Sequence, residues 1–118
     1  MSGYTYATPA CTGACTAQNE ATLQSNLESK GPVSVCVDAE PWQHYTGGIM
    51  TASSGCLKGY NDLDHCVQLV GHNSAGATPY WLVRNQWATN WGQAGYIYLQ
   101  KGINLCGIAD EATFVTLN

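Results

Sequence analysis

Charged residues are scarce in this chain of 118 residues. Asp, Glu, Lys and Arg together make up 10% of it, against roughly 25% in an average soluble domain. Only four residues are Lys or Arg, and the net charge is −4. This balance argues against a nucleic-acid or anionic-membrane partner, since both attract proteins through positive charge. Because hydrophobic residues reach 45%, we expect the chain to bury part of its surface against another surface or to expose an apolar face.

Long apolar runs and metal-site spacings are also missing. No stretch has the length of a membrane span, and the residues after Met1 do not form a signal peptide. Cys11 and Cys15 are the only close cysteine pair, so no set of four zinc ligands is formed, and a local bridge between the two is favoured. We predict no metal, no cofactor and no membrane partner. Six cysteines in so short a chain favour disulfides and an oxidising compartment, lysosomal or secreted.

One helix is predicted near the amino end, over residues 18–29. Asn19 is a suitable N-cap, Glu20 suits the first turn, and Gly31 followed by Pro32 ends the helix. The apolar stripe of this helix is narrow and consists of Ala21, Leu23 and Leu27.

Strand-like runs occupy much of the remaining sequence. Residues 33–38 (VSVCVD) form a β-branched run that we expect to be buried on both faces. The other predicted strands cover residues 3–7, 65–71, 80–83, 95–100 and 112–117. At this length, the pattern predicts a single domain over residues 1–118.

The segment 63–92 carries the candidate catalytic residues. His65 begins one predicted strand, Asn85 follows the next, and a loop rich in Gly, Ser, Asn and Pro joins the two strands. Antiparallel pairing brings the imidazole and the amide to one rim of the sheet. An amide oxygen that accepts from a ring N–H fixes the histidine tautomer, which a general base requires. Trp87 and Trp91 flank Asn85 and are expected to shield the pair from water.

This arrangement resembles the papain family of cysteine peptidases, cathepsin L-like members in particular. In that family an Asp-His strand start is followed by an N-S-W-G-x-x-W-G loop. Here residues 85–92 read NQWATNWG, so Gln86 and Ala88 depart from the usual Ser and Gly. The family's G-P-[VI]-S-V strand is matched at residues 31–35. The resemblance covers nearly the whole chain and implies an α+β, mainly antiparallel β fold: the β-barrel-like, carboxy-terminal half of the papain fold.

The resemblance implies an incomplete active site. His65 takes the role of general base and then general acid, and Asn85 orients it. The family's nucleophile motif, Q-x-x-x-C-G-S-C-W, is absent from the sequence. Cys15 follows Gly-Ala, but the Trp and the helix that should come next are missing. The thiolate and the oxyanion-hole glutamine are therefore expected from an amino-terminal half, and we predict that the isolated chain does not hydrolyse peptides.

Two other functions remain open at this point. The chain is alternatively a stand-alone domain that keeps the shape of the site but only binds or self-associates, through the face that carries His65, Asn85 and Trp87. As a third possibility, it is a transglutaminase-like or other thiol enzyme that uses one of its own cysteines.

The resemblance also implies a specificity pocket for the peptide side chain second from the cleaved bond. By family position Cys36, Leu63 and Cys66 form its walls, and Glu111 closes its end. A carboxylate at the end of an apolar tube implies acceptance of Arg beside bulky apolar side chains. Alternatively, Glu111 only caps an exposed strand start.

The cysteines outside the local pair have different expected states. Family position pairs Cys56 with Cys106 in a disulfide. Cys36 and Cys66 are placed side by side by the resemblance, and they are a free pair, a disulfide or a metal-sensitive spot. Strand alternation sends Cys66 to the face opposite His65, so it cannot be the nucleophile that His65 activates.

Overall fold

A seven-stranded sheet and one α-helix form the part of the chain that the computed structural model describes, residues 3–16, 18–85, 91–92 and 94–116. In chain order the elements are β1 (Gly3–Tyr6), α1 (Glu20–Lys30), β2 (Val33–Val37), β3 (Ile49–Met50), β4 (His65–Asn73), β5 (Tyr80–Arg84), β6 (Tyr96–Gln100) and β7 (Thr113–Thr116). No helix in these ranges is long and apolar enough to cross a membrane.

The sheet is antiparallel except at one edge. Its strand order is β1-β7-β2-β4-β5-β6-β3, and the two-residue strand β3 pairs in parallel with β6. The predicted fold class, α+β with mainly antiparallel strands and one helix near the amino end, is confirmed. Strand β3 lies in a segment where the sequence pattern predicts no strand, and β4 is two residues longer than expected.

Helix α1 begins and ends slightly later than predicted. Asn19 caps it, because its side-chain Oδ1 accepts from the Thr22 backbone N–H at 3.0 Å. Gly31 follows with φ of 89°, where a glycine is favoured. The buried positions are Glu20, Leu23 and Leu27, which are spaced three and four residues apart and share one face. Placing Ala21 on this stripe is wrong: Leu23 lies two positions further along the chain, about 200° around the helix, and Ala21 is exposed.

The burial of strand β2 differs from the expectation. Val33, Val35 and Val37 are fully buried, whereas Ser34 is exposed and Cys36 is half-buried. Burial on both faces is therefore wrong for this strand. The described chain covers one side of the antiparallel sheet and leaves the other side of β2 accessible, as such sheets allow.

The core lies against the covered side of the sheet. Its largest fully buried side chains come from α1, from strands β2, β4, β5 and β6, and from the turn after β2: they include Trp42, Trp81, Leu23, Leu69, Ile97 and Leu99. Burying one such side chain stabilises a fold by about 1.5–3 kcal/mol. The core therefore fixes the strands whose ends carry His65 and Asn85.

Candidate active site

His65 and Asn85 meet at one rim of the sheet. Strand β4 begins at His65 and β5 ends at Arg84, and the two strands pair antiparallel with Gln68 opposite Arg84. The His65 Nε2 and Asn85 Oδ1 atoms are 2.9 Å apart. Asn85 is 5% exposed, and its backbone N–H donates to Gly95 O at 3.0 Å. Asn85 is thus held in place through both its side chain and its backbone.

The contact determines the chemistry available to the imidazole. The Asn85 oxygen can only accept, so the ring donates from Nε2–H and carries its lone pair on Nδ1. A neutral imidazole with a fixed tautomer is suited to take a proton at Nδ1 and return it. The half-buried His65 ring lines a surface cavity, where a substrate can reach it.

Asp64, the residue before His65, makes a structural contact. Its side chain is exposed, but Oδ1 accepts from the Ala39 backbone N–H at 2.9 Å. Its own N–H donates to Val37 O at 2.9 Å. These bonds tie the start of β4 to the end of β2 and fix the backbone next to His65.

Of the two tryptophans expected to shield the pair, Trp91 lies in the described chain. Its indole stacks on Trp42 with ring centroids 6.0 Å apart, and its Nε1–H donates to Trp42 O at 2.9 Å. A further ring contact joins it to Tyr45, and both Trp42 and Tyr45 are buried. Trp87 lies outside the described residues. Shielding of the His65–Asn85 contact by Trp87 and Trp91 stays a prediction.

A cavity of about 600 Å³ lies beside His65. All four residues assigned to the specificity pocket line it: Cys36, Leu63, Cys66 and Glu111. Tyr60 and Asn61 line it as well, on a short 3₁₀ turn (Tyr60–Asp62). Sequence reasoning misses these two, because the surrounding residues 51–62 have only the polar, Gly-rich pattern of a loop.

Glu111 has a partner from the opposite end of the chain. The Tyr6 hydroxyl donates to Glu111 Oε1 at 3.1 Å. This hydrogen bond and the negative charge of Glu111 raise the pKa of Tyr6. β1 pairs with β7, with Tyr6 opposite Thr113, and this pairing brings the hydroxyl to the carboxylate. Glu111 is half-buried, so its carboxylate is held at the cavity rather than fully solvated.

All six cysteines of the sequence lie among the described residues and form three disulfides. They are Cys11–Cys15, Cys36–Cys66 and Cys56–Cys106. The state of Cys36 and Cys66, left open by the sequence, is a bridge between residues directly opposite in β2 and β4. Because no cysteine is free, the structure contradicts a thiol enzyme that uses one of its own cysteines.

Comparison with known proteins extends these observations to the whole chain. The model of the "Papain family cysteine protease" family matches residues 2–116. Human cathepsin O is 44% identical over 85 residues, which are 72% of this chain and 25% of that protein. A cysteine proteinase of Trypanosoma brucei brucei is 40% identical over 89 residues, 75% of this chain and 19% of that protein. The chain spans about a quarter or less of the length of these two relatives.

Solved structures agree with the sequence relatives. Digestive procathepsin L 3 of Tenebrio molitor superimposes with a TM-score of 0.81 at 33% identity, over 98% of this chain and 35% of that one. The bromelain protease of Ananas comosus gives a TM-score of 0.76 at 30% identity, over 98% and 50%. The strand ends that carry His65 and Asn85, the matched segment and the shared fold lead to one conclusion. The chain belongs to the papain family of cysteine proteases.

Proposed function

We propose that this chain is the carboxy-terminal half of a cysteine endopeptidase and supplies the histidine and asparagine of its site. The contact of 2.9 Å between His65 Nε2 and Asn85 Oδ1 carries the proposal. The three disulfides consume every thiol of the chain, so the nucleophile comes from elsewhere. The chain's share of its relatives, 25% of human cathepsin O, leaves ample length for another half.

In this function His65 Nδ1 takes the proton of the incoming cysteine thiol, and the resulting thiolate attacks the peptide carbonyl. The protonated imidazole then gives its proton to the leaving amine, and an acyl-enzyme remains. Asn85 keeps the ring in one orientation and stabilises the imidazolium through its amide oxygen. A water activated by the same His65 nitrogen releases the acyl group.

The accessible side of the sheet is the proposed seat of the amino-terminal half. A surface concavity of about 820 Å³ lies there, and its lining includes Tyr4, Ser34, Gln68 and Asn85. Tyr4 is 65% exposed and offers an aromatic surface to a partner. Asn85 joins this concavity to the His65 rim, so a partner seated here reaches the catalytic pair.

We further propose that the cavity beside His65 receives the substrate side chain second from the cleaved bond. Leu63 and the Cys36–Cys66 bridge supply apolar walls, and Glu111 supplies one carboxylate. This lining suits bulky apolar side chains and also Arg, whose guanidinium pairs with a carboxylate. The three disulfides support an oxidising compartment, lysosomal or secreted.

A chimaera tests the function directly. Residues 3–116 replace the superimposable segment of Tenebrio molitor procathepsin L 3, which leaves that protein's remaining segment in place. The activated chimaera is expected to hydrolyse fluorogenic peptides and to bind a thiol-directed epoxide, whereas the isolated chain does neither. His65→Ala should lower kcat by at least about 10³-fold, given the contribution of general acid–base catalysis.

His72→Ala is the matched control, since His72 lies on the same strand and contacts only Glu28 and Trp81 among its described partners. It should leave kcat within about twofold of the parent chimaera. A folded chimaera with no turnover, or equal losses in the two variants, would contradict the proposal. Turnover by the pure isolated chain would contradict the need for a second half.

A further inference from the structure

The Cys36–Cys66 disulfide differs from the other two in its accessibility. Cys66 is exposed and Cys36 is half-buried. In contrast, each of the other two bonds joins a half-buried cysteine, Cys11 or Cys56, to a buried one, Cys15 or Cys106. Thiol–disulfide exchange requires a thiolate to reach a sulfur atom, so exposure is a main determinant of the rate. Cys66 Sγ is therefore the disulfide sulfur that a dissolved thiol can reach most readily.

The two cavities that Cys66 lines differ in charge: Arg84 lines the concavity of about 820 Å³, whereas the cavity beside His65 is acidic. Both cysteines line the cavity of about 600 Å³ that also contains Asp64 and Glu111, and none of the described residues that line it is Lys or Arg. Of these described residues, His65 alone is able to carry a positive charge. The whole chain has a net charge of −4. A cationic reagent is concentrated in such a cavity, and an anionic one is repelled from it.

We propose that the Cys36–Cys66 bond is a thiol-exchange site, and that small aminothiols, with an ammonium group beside the thiol, are its preferred reagents. The ammonium group lies toward Glu111 while the thiolate sulfur attacks Cys66 Sγ. A bond forms between the reagent sulfur and Cys66, and the bond between Cys66 and Cys36 breaks. Its electron pair goes to Cys36 Sγ, which takes a proton from water.

The first step gives a mixed disulfide on Cys66 and a thiol on Cys36. A second aminothiol then attacks the reagent sulfur of the mixed disulfide and leaves Cys36 and Cys66 as two thiols, and the reagent is released as its own disulfide. The protein gains two electrons, both supplied by the aminothiol. The mixed disulfide tethers a small cation inside the cavity. If the cavity receives a substrate side chain, which rests on the proposed function, the adduct competes with that side chain for the same space.

The test uses the intact chain and needs no peptidase activity. At pH 8 and low salt, the chain is exposed separately to cysteamine, to neutral 2-mercaptoethanol and to anionic 2-mercaptoethanesulfonate. Acid quenching, alkylation of new thiols and peptide mapping then follow each disulfide with time. We expect Cys36–Cys66 to open before the other two bonds, with the adduct on Cys66 and the alkylated thiol on Cys36. The ratio of the cysteamine rate to the sulfonate rate should be larger on the chain than on a neutral model disulfide, which measures the intrinsic reactivities of the two thiols.

Two charge variants distinguish the effect of the Glu111 carboxylate from the effect of the chain's net charge. Glu111→Gln should lower the ratio of the cysteamine rate to the 2-mercaptoethanol rate about threefold or more, because one carboxylate near the cation is removed. Glu40→Gln removes an exposed charge outside this cavity and should leave the ratio unchanged. Earlier opening of another disulfide, an adduct on Cys36, or equal ratios in wild type and Glu111→Gln would each overturn the proposal.

Discussion

Asp110 is a carboxyl group in an apolar setting, directly before the cavity residue Glu111. It is fully buried, and its Oδ1 accepts from Asn104 Nδ2 at 2.7 Å. Its Oδ2 has no hydrogen-bond partner among the described residues. Burial raises the pKa of Asp110 to about 6, although the bond from Asn104 and the charge of Lys58 act to lower it. The folded chain therefore holds this proton more tightly than an unfolded chain does.

Replacing Asp110 by Asn should remove a pH dependence of stability. With a folded pKa of about 6 against the ordinary 3.8, the stabilising contribution is complete below pH about 4 and is lost as pH rises through about 6, by about 3 kcal/mol in total. Asn keeps an oxygen for Asn104 and never ionises. Urea unfolding at pH 4 and pH 7 measures the free energy of unfolding of both chains. Relative to wild type, that of Asp110→Asn should rise by about 2–3 kcal/mol from pH 4 to pH 7. A difference that is the same at both pH values contradicts this account.

The carboxylate of Glu111 gives a residue-scale prediction for specificity. In the active chimaera, Glu111→Ala should lower the ratio of kcat/KM for Arg over Leu substrates at least about tenfold, since a charge-assisted hydrogen bond contributes about 1.5–3 kcal/mol. Tyr6→Phe is the informative control, because it removes the 3.1 Å bond to Glu111 and leaves the carboxylate in place. It should keep or increase the Arg preference. An unchanged ratio in Glu111→Ala would place this side chain outside the pocket.

Some of these residues are predictable from the sequence and others are not. The contact between His65 and Asn85 is predictable, because each residue stands in a recognisable motif at a strand end. The bond from Tyr6 to Glu111 is not, because it joins residues 105 positions apart and depends on the pairing of β1 with β7. The structural contact of Asp64 is not predictable either. Its bond to Ala39 requires the end of β2 to lie beside the start of β4, which only the fold reveals.

Among the elements, helix α1 is attached to the sheet through its first residue. Glu20 is 9% exposed and accepts three hydrogen bonds in the interior. Its Oε1 accepts from Trp81 Nε1 at 2.8 Å and from the Gly102 N–H at 3.0 Å, and its Oε2 accepts from the Asn104 N–H at 2.8 Å. One carboxylate thus joins the helix start to β5 and to the loop after β6.

Glu20→Gln should destabilise the chain by about 2–4 kcal/mol, because an amide N–H then faces a backbone or indole N–H and a buried donor is left without an acceptor. Glu28→Gln is the matched control on the same helix. Its side chain is 57% exposed and its 3.0 Å contact is to His72 at the surface. That change should cost less than about 1 kcal/mol. Denaturant unfolding of the two variants side by side checks the difference, and similar losses would refute the role given to Glu20.

At the scale of the elements, the sequence predicts whether a segment is a helix or a strand, but not which of its faces are buried. The cap at Asn19 and the strand character of residues 33–37 follow from local chemistry. The amino-acid pattern gives Glu20 only a place in the first turn, because an acidic residue there is favourable in any isolated helix. Likewise, a β-branched run is compatible with burial on one face or on two. Which applies depends on what covers the sheet, and that information lies in other elements.

At the scale of the whole molecule, the accessible side of the sheet is the unusual feature. Its concavity of about 820 Å³ combines the exposed Tyr4 with the polar side chains of Ser34 and Gln68 and the charged side chain of Arg84. Charged residues make up only 10% of the chain, so few charges are available to keep such a face solvated. A weakly charged face with an exposed aromatic side chain favours association with another protein surface. The proposed amino-terminal half is one occupant, and a second copy of the chain is the other.

In the absence of another half, we predict that the isolated chain forms dimers or larger species through this face. Gln68→Lys should weaken the association at least about tenfold, because the new cation lies beside Arg84 of the same chain in the strand register, and each copy then brings two positive charges to a self-complementary contact. Gln43→Lys adds the same charge at an exposed site on the 3₁₀ turn Glu40–His44 and should leave association unchanged. Sedimentation equilibrium over a range of concentrations measures the association of the wild type and of both variants. A wild-type chain that stays monomeric at high concentration would contradict the prediction, and equal weakening by both substitutions would move the contact to another surface.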